Sequence, residues 1–276
     1  MNRVLLAGLV WLLASGAFGS AVARAGERLV LSYELWKGGF HALDLQAGLS
    51  QGGKNYSVKF AARTRGFIGW LYPYLLEGEA DGTLAGAGPR PSQFATLARS
   101  GDDERRRAIS YLGDGTLSTW SDPPGTADDD EEAVPETMRQ DTLDPASAIL
   151  AVIDAVARKG RCTGDYPVYD GARRYNLDVS LVGESALAPS RYSTYSGPAT
   201  LCSVIVNKLS GFRDKAKRGG MPGVINVWLA PVAGAKPAVP VRLEGQSDLG
   251  NLIIHLVDAK VEPDSNKAVT RRSAAR

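Results

Sequence analysis

The chain has 276 residues, enough for one large domain or two small ones, and its net charge at pH 7 is only +2. Removal of residues 1–25 would take away Arg3 and Arg24 but no acidic residue, which leaves 30 basic and 30 acidic side chains. Because such a chain has no broad positive field, nucleic acid is excluded as a partner. The 31 glycines favour many short strands joined by tight turns.

Residues 1–25 have the features of a secretory signal peptide. Arg3 supplies a positive charge, a nearly unbroken apolar run follows, and small residues surround Ala23 and Ala25 as signal peptidase requires. A membrane anchor is the alternative, but the run is shorter than the roughly 20 residues of a spanning helix. We therefore expect cleavage near Ala23 or Ala25, export to the periplasm of a Gram-negative cell, and a mature chain that is not integral to the membrane.

The mature sequence alternates between apolar and polar residues, which is typical of strands with one buried face. Leu29 and Leu31 share a face in the first such strand, and Gly52-Gly53 marks a hairpin because glycine accepts the positive φ of such turns. Similar short strands follow to about residue 120. Two prolines and an acidic run then predict an acidic loop over residues 121–140.

One amphipathic helix is predicted over residues 144–159. Asp144 can accept hydrogen bonds from the first turn, Pro145 suits the first helical position, and Gly160 suits the C-terminal cap. One face of this helix is apolar and consists of Ile149, Leu150, Ile153, Val156 and Ala157. Such a helix must pack its apolar stripe against a sheet.

Strand patterns return after the turn signal Asp170-Gly171 and continue to about residue 262. Residues 26–262 therefore read as one β-rich domain, and residues 263–276 as a basic disordered tail. We predict a mainly β fold: a single curved antiparallel sheet or open β-barrel of about a dozen strands with one principal packed helix, because wrapping hides sheet edges.

Cys162 and Cys202 are the two cysteines of the chain. An even number of cysteines in an exported protein predicts a disulfide bond, with two buried thiols as the alternative. Two cysteines and two histidines make a weak case for zinc, so no metal and no cofactor are expected.

Catalytic motifs lack a supporting context in this sequence. Residues 48–52 match the letters G-x-S-x-G, but a strand pattern follows them where a nucleophile elbow needs a helix. His41 and His255 lie in strand-like sequence without metal-ligand spacing. We therefore expect that the protein is not an enzyme.

The arginines after the Asp170-Gly171 turn are predicted to be structural, together with the tyrosine that follows. Arg173, Arg174 and Tyr175 enter an alternating strand, and an inward-facing arginine must find a partner because a buried charge without one is very costly. Asp170 and Asp178 are the candidate partners. An anion site is the alternative.

A segment rich in aromatic residues and broken by glycines follows the third strand. Its glycines and proline suit the edge or mouth of a sheet rather than a regular strand. We predict that four of its residues border an apolar, ligand-binding groove between the curved sheet and the helix: Phe67, Trp70, Tyr72 and Tyr74. The alternative is that they fill the core.

Several short stretches, in this order, resemble the domain of unknown function 3108 family. They are Tyr33-Glu34-Leu35 before Gly38-Gly39, Arg63-Thr64-Arg65-Gly66, Thr142-Leu143-Asp144-Pro145, the run from Tyr169 to Tyr175, and Trp228-Leu229 before Pro240-Val241-Arg242. The resemblance implies an exported, β-rich bacterial protein and supplies no catalytic residues. The acidic turn expected of the family is absent from residues 230–234.

These observations favour a non-catalytic binding or scaffold protein of the cell envelope. Its expected partner is a lipid, a lipoprotein or another envelope protein. An envelope glycan or lipid hydrolase is the alternative function. Co-purified lipid would favour the binding protein, and substrate turnover that depends on one polar cleft residue would favour the hydrolase.

Overall fold

A computed structural model of the protein describes residues 26–124, 133–212, 222–247 and 250–264. The predicted signal peptide, the acidic run and nearly all of the basic tail lie outside these residues. The described elements are β1 (Glu27–Lys37), β2 (Phe40–Gly52), β3 (Asn55–Thr64), α1 (Gly66–Leu71), β4 (Tyr74–Ala85), β5 (Gly88–Ser100), β6 (Asp103–Tyr111), β7 (Leu117–Asp122), α2 (Glu136–Arg139), α3 (Pro145–Lys159), β8 (Gly164–Tyr169), β9 (Arg174–Leu187), β10 (Gly197–Ser210), β11 (Val224–Val232), β12 (Ala235–Ser247) and β13 (Gly250–Pro263).

All 13 of these strands belong to one antiparallel sheet. Its order is β7-β6-β5-β4-β3-β2-β1-β13-β12-β11-β10-β9-β8, so the first and last strands of the domain pair at its centre and the sheet is open at β7 and β8. Consecutive strands are neighbours in the sheet, except that β7 and β8 lie at its opposite edges, and the one pair of non-consecutive strands is β1 with β13. The predicted fold class, an open antiparallel sheet with one principal helix, is confirmed.

The sheet curls around α3, which contacts β4 and β5 on one side and β8 and β12 on the other. The helix begins as predicted, because the Asp144 side chain accepts a hydrogen bond from the Ser147 amide and Pro145 occupies the first turn. It ends at Gly160, whose φ of 66° is the left-handed conformation that glycine adopts without strain. The helix therefore lies inside the curved sheet and packs against both of its arms.

The segment before α3 lies between the two open edges of the sheet. The Asp141 amide donates a hydrogen bond to the Gly115 carbonyl beside β7, while Leu143 exchanges hydrogen bonds with Pro167 and Tyr169 of β8. The predicted loop over 121–140 differs from the structure at both ends. There β7 continues to Asp122 and α2 begins after Pro135, while residues 125–132 lie outside the described part.

The core surrounds α3 on two sides. On the β4–β6 side, buried residues such as Ala80, Phe94 and Ile109 pack together. On the β9–β11 side, the buried cluster contains Val179, Leu229 and the disulfide between Cys162 and Cys202, whose Cα atoms are 6.1 Å apart. The predicted disulfide is confirmed, and it joins the end of the helix segment to the middle of β10.

Candidate functional site

An apolar cavity of about 210 Å³ lies between α3 and the inner face of strands β9–β12. The lining is almost entirely hydrocarbon. The aliphatic side chains that line it include Ile149, Val152, Leu177, Val204, Ile225 and Leu243. For comparison, an apolar protein cavity of about 150 Å³ can hold benzene.

Strand alternation explains why the sheet side of the cavity, which forms its floor, is apolar. Val179, Val204 and Ile225 stand directly opposite one another on β9, β10 and β11, so their side chains share the inner face. Each strand places every second residue on that face, which is why an alternating sequence produces a continuous apolar floor. Because Val204 and Ile225 are only half-buried, the helix does not fill all the space above them.

The helix supplies the roof. Pro145, Val152 and Ile153 line the cavity together with Ile149, and each of them is three or four residues from Ile149, so they lie along one face of α3. Ile149 keeps 52% of its surface exposed. Because Ile149 both lines the cavity and is exposed to solvent, it marks the place where the cavity opens to solvent.

A buried polar cluster holds the first turn of α3 in place. Asp144 is completely buried, and its carboxylate accepts hydrogen bonds from the Ser147 amide (2.8 Å) and the Ser147 hydroxyl (2.5 Å). The Ser147 hydroxyl also lies 2.7 Å from the Tyr56 hydroxyl of β3. Burial raises the pKa of Asp144 above its ordinary value, with the Ser147 hydrogen bonds acting in the opposite direction. This cluster therefore links the N-terminus of the helix to the far half of the sheet.

The sequence predicts Asp144 only as a helix cap. Nothing in the sequence connects Tyr56 with Ser147, which lies 91 residues away. Gly82 is the feature that permits the contact, since a side chain there would approach within 2.6 Å of the Tyr56 hydroxyl. A glycine inside a strand pattern is the signal that could have suggested such a close approach.

The comparisons with known proteins define the family. A family model described as "Protein of unknown function (DUF3108)" matches residues 32–257. The chain belongs to the DUF3108 family. A search of solved structures finds the beta-barrel-like protein of domain of unknown function DUF1849 from Brucella abortus, with a TM-score of 0.50 and 14% identity over 86% of this chain and 97% of that chain. At this identity the likeness shows the fold alone. No curated protein matches the chain.

The aromatic segment of this DUF3108 protein lies away from the cavity. Phe67 and Trp70 belong to the short helix α1, Tyr72 follows it and Tyr74 opens β4. None of these four residues is among those that line the cavity between α3 and the sheet, so the predicted position at its border is wrong. Their use as a binding surface elsewhere stays a prediction.

Local hydrogen bonds explain where the aromatic segment lies. The Thr64 hydroxyl, at the end of β3, donates to the carbonyl of Tyr72 (3.0 Å) and accepts a hydrogen bond from the amide of Tyr74 (2.9 Å). A side chain at Gly69 would approach within 2.9 Å of the Thr64 carbonyl, so glycine permits this tight return. The segment is thus tied to the end of its own hairpin, and Phe67 and Trp70 are 71% and 76% exposed.

Replacement of Trp70 by alanine is expected to change the free energy of unfolding by less than about 0.5 kcal/mol, because substitutions at exposed positions usually have small effects. Phe94→Ala is the control, since Phe94 is a buried aromatic residue and its loss should cost about 3–5 kcal/mol. Urea denaturation measures both values. Equal destabilisation by the two substitutions would contradict the exposed position of Trp70.

The arginine segment of the DUF3108 protein makes structural contacts. Arg174 donates hydrogen bonds to the carbonyls of Met138 (2.9 Å) and Tyr175 (2.6 Å) and to the side-chain oxygen of Asn176 (2.6 Å). The Asp170 carboxylate instead accepts hydrogen bonds from the backbone amides that follow it, including that of Arg173 at 2.7 Å. The predicted partner of Arg174 is the carboxylate of Asp170 or Asp178. In the structure its guanidinium instead donates to backbone carbonyl oxygens and a side-chain amide oxygen.

The side chains beside Arg174 also pack. Tyr175 is buried against Phe212, with ring centroids 6.3 Å apart, and burial raises its pKa. The guanidinium of Arg173 lies 5.9 Å from the centre of the same Phe212 ring. These contacts support the structural role predicted for residues 173–175, which remains a prediction until it is tested by substitution.

The remaining motifs show no assembled catalytic centre in the described residues. Residues 48–52 lie in β2 and are followed by the β3 strand, so Ser50 is not on a strand-to-helix elbow. Within the described ranges, no three His, Cys, Asp or Glu side chains are close enough to hold a metal ion. None of the helices described is long and apolar enough to cross a membrane.

Proposed function

We propose that this DUF3108 protein is an exported, non-catalytic binding protein of the bacterial envelope. It takes one apolar chain, part of a lipid or of a hydrophobic peptide, into the cavity between α3 and strands β9–β12. The observation that supports this proposal most directly is the hydrocarbon lining of the cavity. The signal-like residues 1–25 and the Cys162–Cys202 disulfide support export, since disulfides persist in oxidising compartments.

The chemistry of the lining favours a purely apolar ligand. Valine, leucine and isoleucine side chains offer van der Waals contact, and they gain free energy when they bury a hydrocarbon. Each methylene group transferred from water contributes about 0.8 kcal/mol. A short segment of an acyl chain could therefore bind without any charged contact, with the rest of the ligand leaving past Ile149.

The position of the cavity also supports binding. Its roof is a single helix that is anchored at both ends, by the Asp144 cluster at the start and near the disulfide at the finish. The floor is a continuous hydrogen-bonded sheet. Because both walls are held in place, an apolar ligand meets a site that is largely formed in advance, which lowers the free-energy cost of binding.

The test is to fill the cavity by enlarging one side chain on its sheet side. Val204→Phe should weaken binding of the uncharged fluorophore N-phenyl-1-naphthylamine, and of palmitate in competition with it, by at least about tenfold. The larger ring occupies space that is empty in the protein, so stability should change by less than the roughly 1–3 kcal/mol that overpacking of a full core costs. Fluorescence titration and urea denaturation measure the two effects.

Ile205→Phe is the matched control. Ile205 is the next residue of β10 and points to the opposite, exposed face, so the same ring added there should leave fluorophore binding unchanged. Native mass spectrometry of protein purified from the periplasm should show a bound lipid or hydrophobic peptide that is reduced in Val204→Phe. If the wild-type protein binds no apolar probe, or if both variants bind equally well, the proposal fails.

A further inference from the structure

A second pocket, of about 490 Å³, lies on the opposite face of the sheet from the apolar cavity. Leu243 of β12 lines the cavity, and alternation turns its neighbour Arg242 to the outer face, where it lines the second pocket. His255 of β13 stands directly opposite Arg242 and lines the same pocket. The two pockets therefore use different residues.

The wall of the outer pocket comes from the connection between β9 and β10. This segment crosses β13, where the amide of Thr194 and the hydroxyl of Ser193 donate hydrogen bonds to the Leu256 carbonyl. The crossing brings Tyr192 against Trp36 of β1, with ring centroids 5.0 Å apart. Two aromatic side chains from distant parts of the chain thus border one small space.

His255 is the unusual group in this pocket. The residue is only 6% exposed, and its Nδ1 atom has no hydrogen-bond partner in the described part of the chain. A buried polar atom without a partner costs about 1–3 kcal/mol, and because Nδ1 is out of reach of solvent, a ligand in the pocket meets the other edge of the ring. Burial and the nearby Arg242 both lower the pKa of His255, which keeps the imidazole neutral at pH 7. A neutral imidazole offers one donor and one acceptor.

Arg242, the charged side chain that lines the pocket, is already paired. The guanidinium of Arg242 donates to the carboxylate of Glu244, at 2.6 Å from Nε. The indole of Trp36 donates to Glu34 at 3.2 Å. Because the carboxylate of Glu244 pairs with Arg242, the cation among the described residues that line the pocket is not free to select an anionic ligand. A neutral ligand is therefore favoured over a phosphate or a carboxylate.

We propose that this outer pocket binds a neutral sugar unit of a glycan. A sugar ring carries hydroxyl groups that both donate and accept hydrogen bonds, which matches the imidazole of His255, the hydroxyl of Ser190 and the amide of Asn251. Its C–H groups suit the carbon surface that Trp36 and Tyr192 turn to the pocket beside their stacking contacts with His41 and His255. The pocket volume lies within the usual range of small-molecule sites, roughly 300–1,000 Å³.

The experiment is an NMR titration of the tryptophan indole signals with N-acetylglucosamine, with glucose and with inorganic phosphate, each up to roughly 50 mM, since single sugars bind weakly. We expect the Trp36 signal to shift saturably with at least one sugar and not with phosphate. Tyr192→Ala should weaken that binding about tenfold, because the ring contact is lost. Asn251→Ala, at an exposed hairpin position, should weaken it as well without affecting the fold.

Phe40→Ala is the matched control, because Phe40 is an exposed aromatic residue of the neighbouring hairpin and does not line the pocket. It should bind the sugar as the wild-type protein does. The apolar fluorophore should bind Tyr192→Ala and the wild-type protein equally, which separates this site from the inner cavity. No saturable shift with either sugar, saturation by phosphate instead, or equal losses in Phe40→Ala and Tyr192→Ala would overturn the proposal.

Discussion

Replacement of both Cys162 and Cys202 by serine is expected to lower the free energy of unfolding of the oxidised protein by about 4 kcal/mol. The bond joins residues 40 positions apart, and by the chain-entropy model a closed loop of that length removes much freedom from the unfolded chain. Both cysteines are completely buried within the cluster on the β9–β11 side of α3. Urea denaturation of oxidised wild-type and variant protein measures the difference.

Reduced wild-type protein provides the control, because it lacks the bond but keeps the cysteine side chains. The serine variant should differ from it by much less than 4 kcal/mol, so most of the effect is assigned to the covalent link. Labelling of the unfolded, unreduced wild-type protein should find no free thiol. Two labelled thiols, or oxidised and reduced proteins of equal stability, would contradict the disulfide.

Asp144→Ala is expected to lower the free energy of unfolding by about 2–3 kcal/mol. The substitution removes a helix cap, typically about 1 kcal/mol, and also leaves the buried Ser147 hydroxyl without its carboxylate acceptor. Asp154→Ala is the control on the same helix. Asp154 forms an ion pair with Arg158 near the surface, and such pairs contribute less than about 1 kcal/mol. If the two variants are equally stable, the Asp144 cluster does not anchor the helix.

The same carboxylate predicts a pH dependence. Burial raises the pKa of Asp144 in the folded protein above its unfolded value, so the folded state holds the proton more tightly. Protonation of this group therefore stabilises the fold, and that contribution is lost as the pH rises through the folded pKa. The stability of the wild-type protein relative to Asp144→Asn, which cannot titrate at this position, should increase as the pH falls. An increase with rising pH would contradict the assignment.

The Asp144 cluster and the disulfide matter for the proposed function because they hold α3 at a fixed distance from the strands that form the other side of the cavity. Ser147 is linked to Tyr56 on one arm of the sheet, while Cys202 lies on the other arm. Loosening either end of α3 would let the helix move relative to Val204 and Ile225. We therefore regard these two groups as positioning features of the cavity rather than as parts of its lining.

The sequence alone determined the type of most elements. Alternation at Leu29 and Leu31, the cap at Asp144 and the glycine at position 160 are local signals, because the side chains and backbone of neighbouring residues decide them. The pairing of Cys162 with Cys202 followed from counting, since two cysteines allow one bond within a chain. These features required no knowledge of which strands lie side by side.

The tertiary structure decided which distant residues share a site. Alternation shows that Val204 faces the same side of β10 as Val206. It does not show that Ile149 of α3 lies above these two residues, or that a cavity remains between the helix and the strand. The composition of the aromatic segment predicts that it borders this space, whereas the hydrogen bonds of Thr64 tie the segment to its own hairpin. The contact between Tyr56 and Ser147, and the crossing that brings Tyr192 to Trp36, depend on the curl of the sheet. That curl arises from the summed packing of many strands on one helix, and no short stretch of sequence encodes such a sum.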